Sequence, residues 1–578
     1  MKKILNRILL LTAACAVSCT NLDETVYSEI GTTNFIQSKD DVIALAMRPF
    51  GHASWVASQL TEVQECSADH WVTYTINGEY WGAGGYYARL HKHEWTIDDA
   101  YVNGPWVSLW AGIVQLNNVL DVLEGVSREK YNISETEFNE LYEGSRTMRA
   151  WFYIKLFDLY RNLPLYRSVK DETKNIASQV STEQMFEFIE GELLDALEKL
   201  PAKAALGGNG AKQMLWNKGG AAALLVRLYL NSEKWTGVER YDLCAQYAQR
   251  IIDGEYGPYA LDDVWDEPFK WNNATSDELI YAFESNKYQA HNHYDGDHFG
   301  WAFPVGGPWT KYFLFSEFGD PNFRFGLAPG LDVDYKEYSF QQGKPFRKFQ
   351  KYPSDYRLKL YKNLGNGERE GMFLFGYIPN LKEGGYLKQI DGVTDLYIRD
   401  QAGFFHGAKP GEKIDDKRSG VEYADENSGT HMVKYPFYPD TDGDKIFEAD
   451  YAEIRLAEIY YSLAECKLRA GDALAAGDLV NKVRKRNYPQ ADWEKYLYQG
   501  KETPSGSVQL DMQEMLDEWG REFIGELRRR TDLCRFGKFT DVWWDKTDTD
   551  PTRDIFPLSR TALAANPKLK QNPGYETN

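Results

Sequence analysis

The sequence predicts a mainly α-helical fold, a scaffold of paired helices carrying a large irregular, loop-rich lobe with short strands. Three observations lead to it. Apolar residues recur at helical spacing in successive segments, short turns separate those segments, and between about 255 and 448 the pattern gives way to Gly, Pro, Asn, Asp and aromatic residues. With 578 residues, 43% hydrophobic and 26% charged, the chain has the composition of a globular protein with a sizeable core.

From Trp106 to Leu123 apolar residues fall on one helical face, and Ser134 with Glu137 forms a capping-box pattern opening a second helix that runs to about Tyr160, before Pro164. A similar pair follows. Thr182 to Leu200 lies between Ser181 and Pro201, and Gln213 to Leu230 answers it. Tyr241 to Ile252 is closed by Gly254, Tyr451 to Ala470 stops at Gly471, Ala473 to Arg486 returns, and Met512 to Arg530 adds one more. Such pairs resemble degenerate tetratricopeptide units. The scaffold is thus expected at about 36–65, 106–254 and 449–578, and the irregular lobe at about 66–105 and 255–448. Long loops on a rigid scaffold are where binding functions usually sit.

The N-terminus has the form of a lipoprotein signal. Lys2, Lys3 and Arg7 precede an apolar run from Ile8 to Val17, interrupted only by Thr12, and Ala16-Val17-Ser18-Cys19 matches a lipobox in which Cys19 becomes the acylated first residue. The alternative is an ordinary signal peptide with a chance cysteine. Removing residues 1–18 leaves 63 basic against 86 acidic residues, which argues against a nucleic-acid partner. No later apolar run reaches the ~18 residues a membrane span needs, so acyl chains are the only membrane attachment expected and the protein reads as lipid-anchored and otherwise soluble. Cys66, Cys244, Cys466 and Cys534 form no CxxC pair, and Cys244 and Cys466 read as buried thiols.

Candidate catalytic and metal sites are weak. His291-Asn292-His293-Tyr294-Asp295-Gly296-Asp297-His298 resembles the zinc cluster of metallo-β-lactamase-like hydrolases, but Gly296-Asp297 breaks the spacing and the chain lacks the alternating strands of that fold. His91 and His93 read as solvated loop side chains. Asp440-Thr441-Asp442-Gly443-Asp444 suggests calcium, though its Gly stands at the fourth rather than the sixth position, and a polar turn into the next helix is the preferred reading. No catalytic residue, metal ligand or cofactor is therefore assigned; a structural calcium and a zinc or glycoside hydrolase stay as alternatives.

The aromatic residues are the better lead, since 17 Trp, 38 Tyr and 29 Phe make 15% of the chain. Trp106, Trp110, Trp151 and Trp216 fall on helical faces and belong to the core. In the loops, residues 71–87 hold Trp71, Tyr74, Tyr80, Trp81, Tyr86 and Tyr87 among Gly78, Gly82, Gly84 and Gly85, while residues 288–312 hold Tyr288, Tyr294, Trp301, Trp309 and Tyr312. A pyranose ring has an apolar C–H face and a rim of hydroxyls, so it needs flat rings bordered by polar side chains. The candidate glycan-binding residues are Asn77, Tyr80, Trp81, Tyr294, Asp297, Trp301 and Trp309. The competing role for each ring is to pin a loop onto the scaffold.

The C-terminal third carries a family resemblance. Arg455-Leu456-Ala457-Glu458-Ile459-Tyr460-Tyr461-Ser462-Leu463-Ala464-Glu465-Cys466, with Gly471, Asn481-Lys482-Val483-Arg484 and Arg486, resembles a helix pair of SusD/RagB outer-membrane lipoproteins. Glu522-Phe523-Ile524-Gly525-Glu526 and Arg530-Thr531-Asp532-Leu533-Cys534-Arg535-Phe536-Gly537 are similar to another family block, with Gly520 where Glu is usual. Phe556-Pro557-Leu558, Asn566-Pro567 and Gln571-Asn572-Pro573-Gly574-Tyr575 resemble its closing segment, with Ser559 replacing the second Pro. Cys19, Leu22-Asp23, Trp110 to Asn117 and Arg149-Ala150 to Pro164 match its opening. The resemblance implies a non-catalytic lipoprotein, anchored in the outer membrane and facing the cell exterior, that binds glycan and delivers it to a SusC-like TonB-dependent transporter held by the helical repeats. A lid that binds peptide or no sugar is the remaining alternative.

Overall fold

The computed structural model describes residues 36–79, 81–170, 176–203, 214–270, 272–284, 325–365, 368–380, 384–435 and 449–575. The long helices follow their caps. α1 (Lys39–Gln59) opens on a reciprocal cap between Ser38 and Asp41; α2 is Tyr86–Lys92 and α3 Ala100–Leu123. α4 (Glu135–Tyr160) opens on the expected Ser134/Glu137 box and α5 (Thr182–Lys199) on Ser181 and Gln184. Each such cap satisfies backbone N–H groups that the helix itself cannot, worth about 1 kcal/mol. α6 (Lys218–Leu230) and α7 (Tyr241–Ile252) complete the first part of the scaffold; α8 (Leu456–Arg469), α9 (Ala473–Arg484), α10 (Met512–Glu522) and α11 (Arg529–Arg535) form the second.

From α3 to α9 each helix packs on the next in this order, and α1 packs on α3. The long segment 255–448 therefore enters between two helices, α7 and α8, that remain in contact. At the α3–α4 crossing the helices are so close that a Cβ on Gly112 would lie 2.3 Å from the Phe152 ring, so only glycine is accommodated there. Trp106, Trp151 and Trp216 are buried and Trp110 is half-buried. Trp216 stacks on Tyr281 with centroids 3.7 Å apart. Among the described residues, no helix is long and apolar enough to cross a membrane. Cys66, Cys244, Cys466 and Cys534 are free and buried.

Three helix expectations are corrected. The helix expected from Gln213 begins at Lys218, because Asn217 caps it by accepting from Gly220 N at 3.0 Å. Tyr451–Arg455 is not helix but a strand, paired antiparallel with Leu279–Phe283. Both faces of that strand are buried, and its charged residues Glu453 and Arg455 are paired inside, so the alternation that marks a half-exposed strand is missing. The helix expected to reach Arg530 breaks after Glu522, where Gly525 (φ 73°) and Leu527 (φ 52°) turn the chain before α11.

Besides that pair, which we label β2 (Leu279–Phe283) and β10 (Tyr451–Arg455), the described strands form four short antiparallel pairs: β1 (Trp71–Val72) with β3 (Gly326–Leu327), β4 (Lys362–Gly365) with β5 (Glu368–Glu370), β6 (Phe373–Leu374) with β9 (His431–Met432), and β7 (Gly376–Tyr377) with β8 (Tyr397–Ile398). A single apolar core runs from the helices, through Trp151, Phe157 and Leu228, to Phe346, Phe373 and Ile398 in the strand-bearing segment.

A buried ion network joins the same two parts. The Arg455 guanidinium donates to Glu278 and Glu522 at 2.9 Å each and to both oxygens of Glu526 at 2.8 and 2.9 Å. Arg486 also binds Glu278 and Glu522, Arg357 binds Asp355 and Glu522, and the Lys434 ammonium lies 2.7 Å from Glu526. Burial alone would raise the Glu522 carboxyl, but Arg455, Arg486 and Arg357 reverse this and hold it far below the usual carboxylate range; Glu278 is lowered in the same way. Removing one partner of a buried pair strands the others, at about 3–5 kcal/mol. Arg455→Ala is therefore expected to lower chemical-denaturation stability by about that much at pH 7, whereas Arg418→Ala, at the surface, leaves the midpoint unchanged. Because the folded-state values of Glu278 and Glu522 lie below the ordinary value of 4.5, their contribution is present above that pH and fades as pH falls below it. The gap between parent and Arg455→Ala should accordingly narrow below pH 4.5; a gap constant from pH 7 to pH 3 would refute the assignment.

Candidate functional site

The first loop segment is strung along a second strip of chain. Thr75 N donates to Val421 O and Asn77 N to Ala424 O, at 2.8 and 2.9 Å. Asn77 (φ 54°) and Gly78 (φ 72°) are consecutive left-handed residues, the Asn-Gly pairing suited to a tight reversal. Farther on, Trp81 (φ 61°) and Ala83 (φ 43°) are left-handed without being glycine, followed by Gly84 and Gly85. Each non-glycine residue in that region costs about 1–3 kcal/mol and persists only where its surroundings impose it.

Those surroundings are visible on both sides. Beyond the loop, Arg89 on α2 donates to Gly84 O at 3.0 Å and pairs with Asp99, and its guanidinium lies 5.0 Å above the Tyr86 ring. Tyr101 meets Tyr86 edge-on at 5.5 Å and lies tilted against Tyr87 at 5.4 Å. Burial would raise the Asp99 carboxyl, but its hydrogen bonds from Arg89 and Thr96 N keep it below its ordinary value. The result is a rim of half-buried rings along this stretch, Trp81, Tyr86 and Tyr101, of which Tyr86 and Tyr101 meet beside a fixed guanidinium.

Beneath the loop, buried Glu426 is the anchor. One carboxylate oxygen accepts from Asn77 Nδ2 and the other from Ile390 N, both at 2.9 Å, with His406 Nδ1 at 4.0 Å. Its neighbours extend the bracket: Asp425 accepts from Phe405 N and Asn427 N, and Asn427 Oδ1 accepts from Tyr397 N and Gln389 Nε2. Burial and the adjacent Glu426 push the Asp425 carboxyl up to about 6. The loop and the β7–β8 segment are thus held to one polar strip, Asp425 to Asn427.

Of the sequence-derived site residues, the structure places Asn77 on that anchor and Trp81 on the rim. Cys19, Tyr80, Tyr294, Asp297, Trp301 and Trp309 lie outside the described residues, as do His291, His293, His298 and the 440–444 turn. Several loop aromatics turn inward instead. Trp71 and Tyr87 are buried, and Tyr74 donates its hydroxyl to Leu327 O at 2.7 Å. His91 and His93, expected to be solvated, are also buried. They accompany α2, donate through Nε2–H to Trp544 O and Ser67 O, and pack on Trp543 and Phe539; burial lowers both imidazoles. Tyr101, Arg89 and Glu426 were missed by sequence reasoning. Tyr101 and Arg89 sit on helices outside the Gly-rich stretch, and nothing in sequence ties Glu426 to Asn77 across 349 positions.

Residues 22–230 match a family model described as "Starch-binding associating with outer membrane", and residues 335–575 match one described as "SusD family". The chain belongs to the SusD/RagB family. It is 24% identical over 526 residues to Starch-binding protein SusD of Bacteroides thetaiotaomicron, an alignment covering 84% of this chain and 81% of that one. Its fold is shared with B. fragilis NanU (TM-score 0.66, 18% identity, 95% of this chain and 99% of that one) and with a laminarin binding SusD-like protein (TM-score 0.62, 18% identity, 93% and 100%).

The points where this SusD-family chain departs from the expected motifs have local causes. At Gly520 a Cβ would lie 2.5 Å from His70 Cε1, so the larger residue's space is taken by His70, beside an Arg529 bound by Asp69. Ser559 caps the helix Arg560–Ala565 by accepting from Ala562 N and donates to Asn103 Oδ1 at 2.6 Å. The shared motif residues Glu522, Glu526, Arg530 and Arg535 all serve buried pairs or carbonyls, so they hold the frame and not the rim. The rim's support is testable. Losing a hydrogen bond to a charged group costs about 1.5–3 kcal/mol, so Glu426→Ala is expected to speed amide exchange at 73–79 and 388–394 together, about 10- to 100-fold, while α4 and α6 exchange as in the parent. Acceleration in one segment only would show that Glu426 does not couple them.

Proposed function

We propose that this protein is a surface lipoprotein, anchored through acylated Cys19, that binds oligosaccharide or polysaccharide and passes it to a SusC-like TonB-dependent transporter in the outer membrane without transforming it. The observation that carries the reading is the cluster of Tyr86 and Tyr101 beside the fixed Arg89 guanidinium, next to the strained 77–85 loop that carries the half-buried Trp81. Flat half-exposed rings bordered by a fixed polar group suit the apolar face and hydroxyl rim of a pyranose. Support comes also from family membership and from relatives named for binding starch and laminarin. Tyr80, Tyr294, Asp297, Trp301 and Trp309 join the proposal from sequence alone, and the helical scaffold is the surface proposed to face the transporter.

The test uses the chain from residue 20 onward, titrated calorimetrically with soluble starch, laminarin and a glycan array. The parent is expected to bind at least one glycan. Truncating a stacked ring costs on the order of 1–3 kcal/mol, so Trp81→Ala, and separately Trp301→Ala, should weaken binding about 10- to 100-fold. Absence of binding to every glycan, or release of reducing ends that is lost in His293→Ala, would overturn the reading, the second in favour of a hydrolase. In the full chain, Cys19→Ala should abolish fatty-acid labelling and move the protein out of the membrane fraction.

A further inference from the structure

Beyond the rim, the sheet segment 376–398 presents an outer face that the fold does not need. Ile378 accepts through its carbonyl from Leu387 N, and Leu387 in turn accepts from Leu396 N, so three short stretches lie side by side. Strand alternation sends Ile378, Leu387, Leu396 and Ile398 into the core. On the other face stand Tyr377, Tyr386, Lys388, Asp395 and Tyr397. Tyr377 and Tyr386 are 37% and 42% exposed.

The three rings form one block. Tyr377 stacks on Tyr386 with centroids 4.9 Å apart and planes 28° from parallel, and Tyr397 meets Tyr377 edge-on at 4.8 Å. Each ring therefore limits the rotation of its neighbours, which reduces the ordering cost of binding a ligand. Among the described residues none of the three hydroxyls makes a hydrogen bond. Among the described residues, the charges standing on this face, Lys388 and Asp395, neutralise each other in an ion pair, and the Arg399 guanidinium, buried beneath, lies 4.9 Å from the Tyr397 ring centroid. A neutral surface of fixed aromatic rings carrying unused hydroxyls fits an uncharged, polyhydroxylated ring better than an ionic ligand. It is also tied to the candidate site, since Ile390, in the turn between the second and third stretches, is hydrogen-bonded to the Glu426 that anchors Asn77.

We propose that Tyr377, Tyr386 and Tyr397 form a second carbohydrate-binding surface, stacking on a neutral pyranose of a polysaccharide. The inference rests on the glycan-binding reading above and adds to it a site outside the 71–87 and 288–312 loops. Two surfaces on one chain raise the affinity for a long glycan more than for a short one, because the second contact forms at high effective concentration.

The structural alternative is that the tyrosines merely brace a small sheet, so the test has to separate packing from binding. Tyr377→Ala/Tyr386→Ala, with Tyr377→Phe/Tyr386→Phe as the variant that keeps the rings, would be compared with the parent by electrophoresis through gels containing soluble starch or laminarin. Tetranitromethane modification of the three tyrosines in the parent, mapped by mass spectrometry with and without those polysaccharides, gives a readout that requires no substitution. The expected result is retardation of the parent that falls at least five-fold in the Ala pair, is largely kept in the Phe pair, and is accompanied by slower nitration at residues 377 and 386 when polysaccharide is present. Retardation equal to the parent in the Ala pair, or nitration unaffected by a polysaccharide that the parent binds, overturns the second surface and leaves the first reading standing. A parent that binds neither of these polysaccharides, nor any glycan of the array, overturns both.

Discussion

Arg455 sits where five segments of the chain converge, and the arrangement of the rest follows from the need to keep its charge paired. A guanidinium this deeply buried is tolerated only if its carboxylates are close and correctly placed. Glu278 at the base of β2, and Glu522 and Glu526 on either side of the break after α10, supply them. The chain departs from helix at Gly525 and Leu527, and the turn there still brings Glu526, with Glu522, to Arg455. Arg357 and Lys434 bring the 345–358 and 431–435 segments to the same carboxylates. A network of this kind adds little net stability compared with an apolar core of equal volume, but it penalises any misplacement of its members.

That precision matters because the candidate site is built on chain with little regular structure. The loop from Asn77 to Gly85 has few backbone hydrogen bonds of its own and several residues in costly conformations. It keeps its shape through contacts at its edges: Arg89 and Asp99 on one side, Glu426 on the other. Glu426 belongs to a strip whose position is set by the strands β6 and β9 and, through Lys434, by the Arg455 network. The support for the rim is therefore long in sequence and short in space.

This split decides what could be read from sequence. The helices α3, α4, α5 and α7 were legible because caps, apolar spacing and stop signals act within a few residues, as Ser134 with Glu137 and Ser181 with Gln184 illustrate. The strand at 451–455 was not, because burial on both faces removes the alternation that identifies strands. In the loop, glycine and aromatic content located the segment but could not sort its rings. Trp71, Tyr74 and Trp81 lie within eleven consecutive positions, yet Tyr74 closes against Gly326 and Gly429 while Trp81 stays on the rim. The difference arises from partners about 250 and 350 residues away. The face formed by Tyr377, Tyr386 and Tyr397 was missed for the same reason: its three rings meet only when two turns fold the segment back on itself.

The charges around both surfaces bear on the kind of ligand they suit. The chain carries a net −20, which would repel anions and attract cations wherever carboxylates were left uncompensated. Near the rim two of them are engaged, Asp99 by Arg89 and Glu426 by Asn77 and the Ile390 N–H, while Glu79 in the loop is exposed. On the tyrosine face Asp395 is paired with Lys388. What remains available at each surface is ring area, hydroxyl groups and amide edges. An ionic ligand would have to break one of these pairs and pay for the charge it released, whereas a neutral sugar can stack and hydrogen-bond while every pair stays intact. On the proposed reading, a preference for uncharged glycans would follow from how Asp99, Glu426 and Asp395 are already engaged.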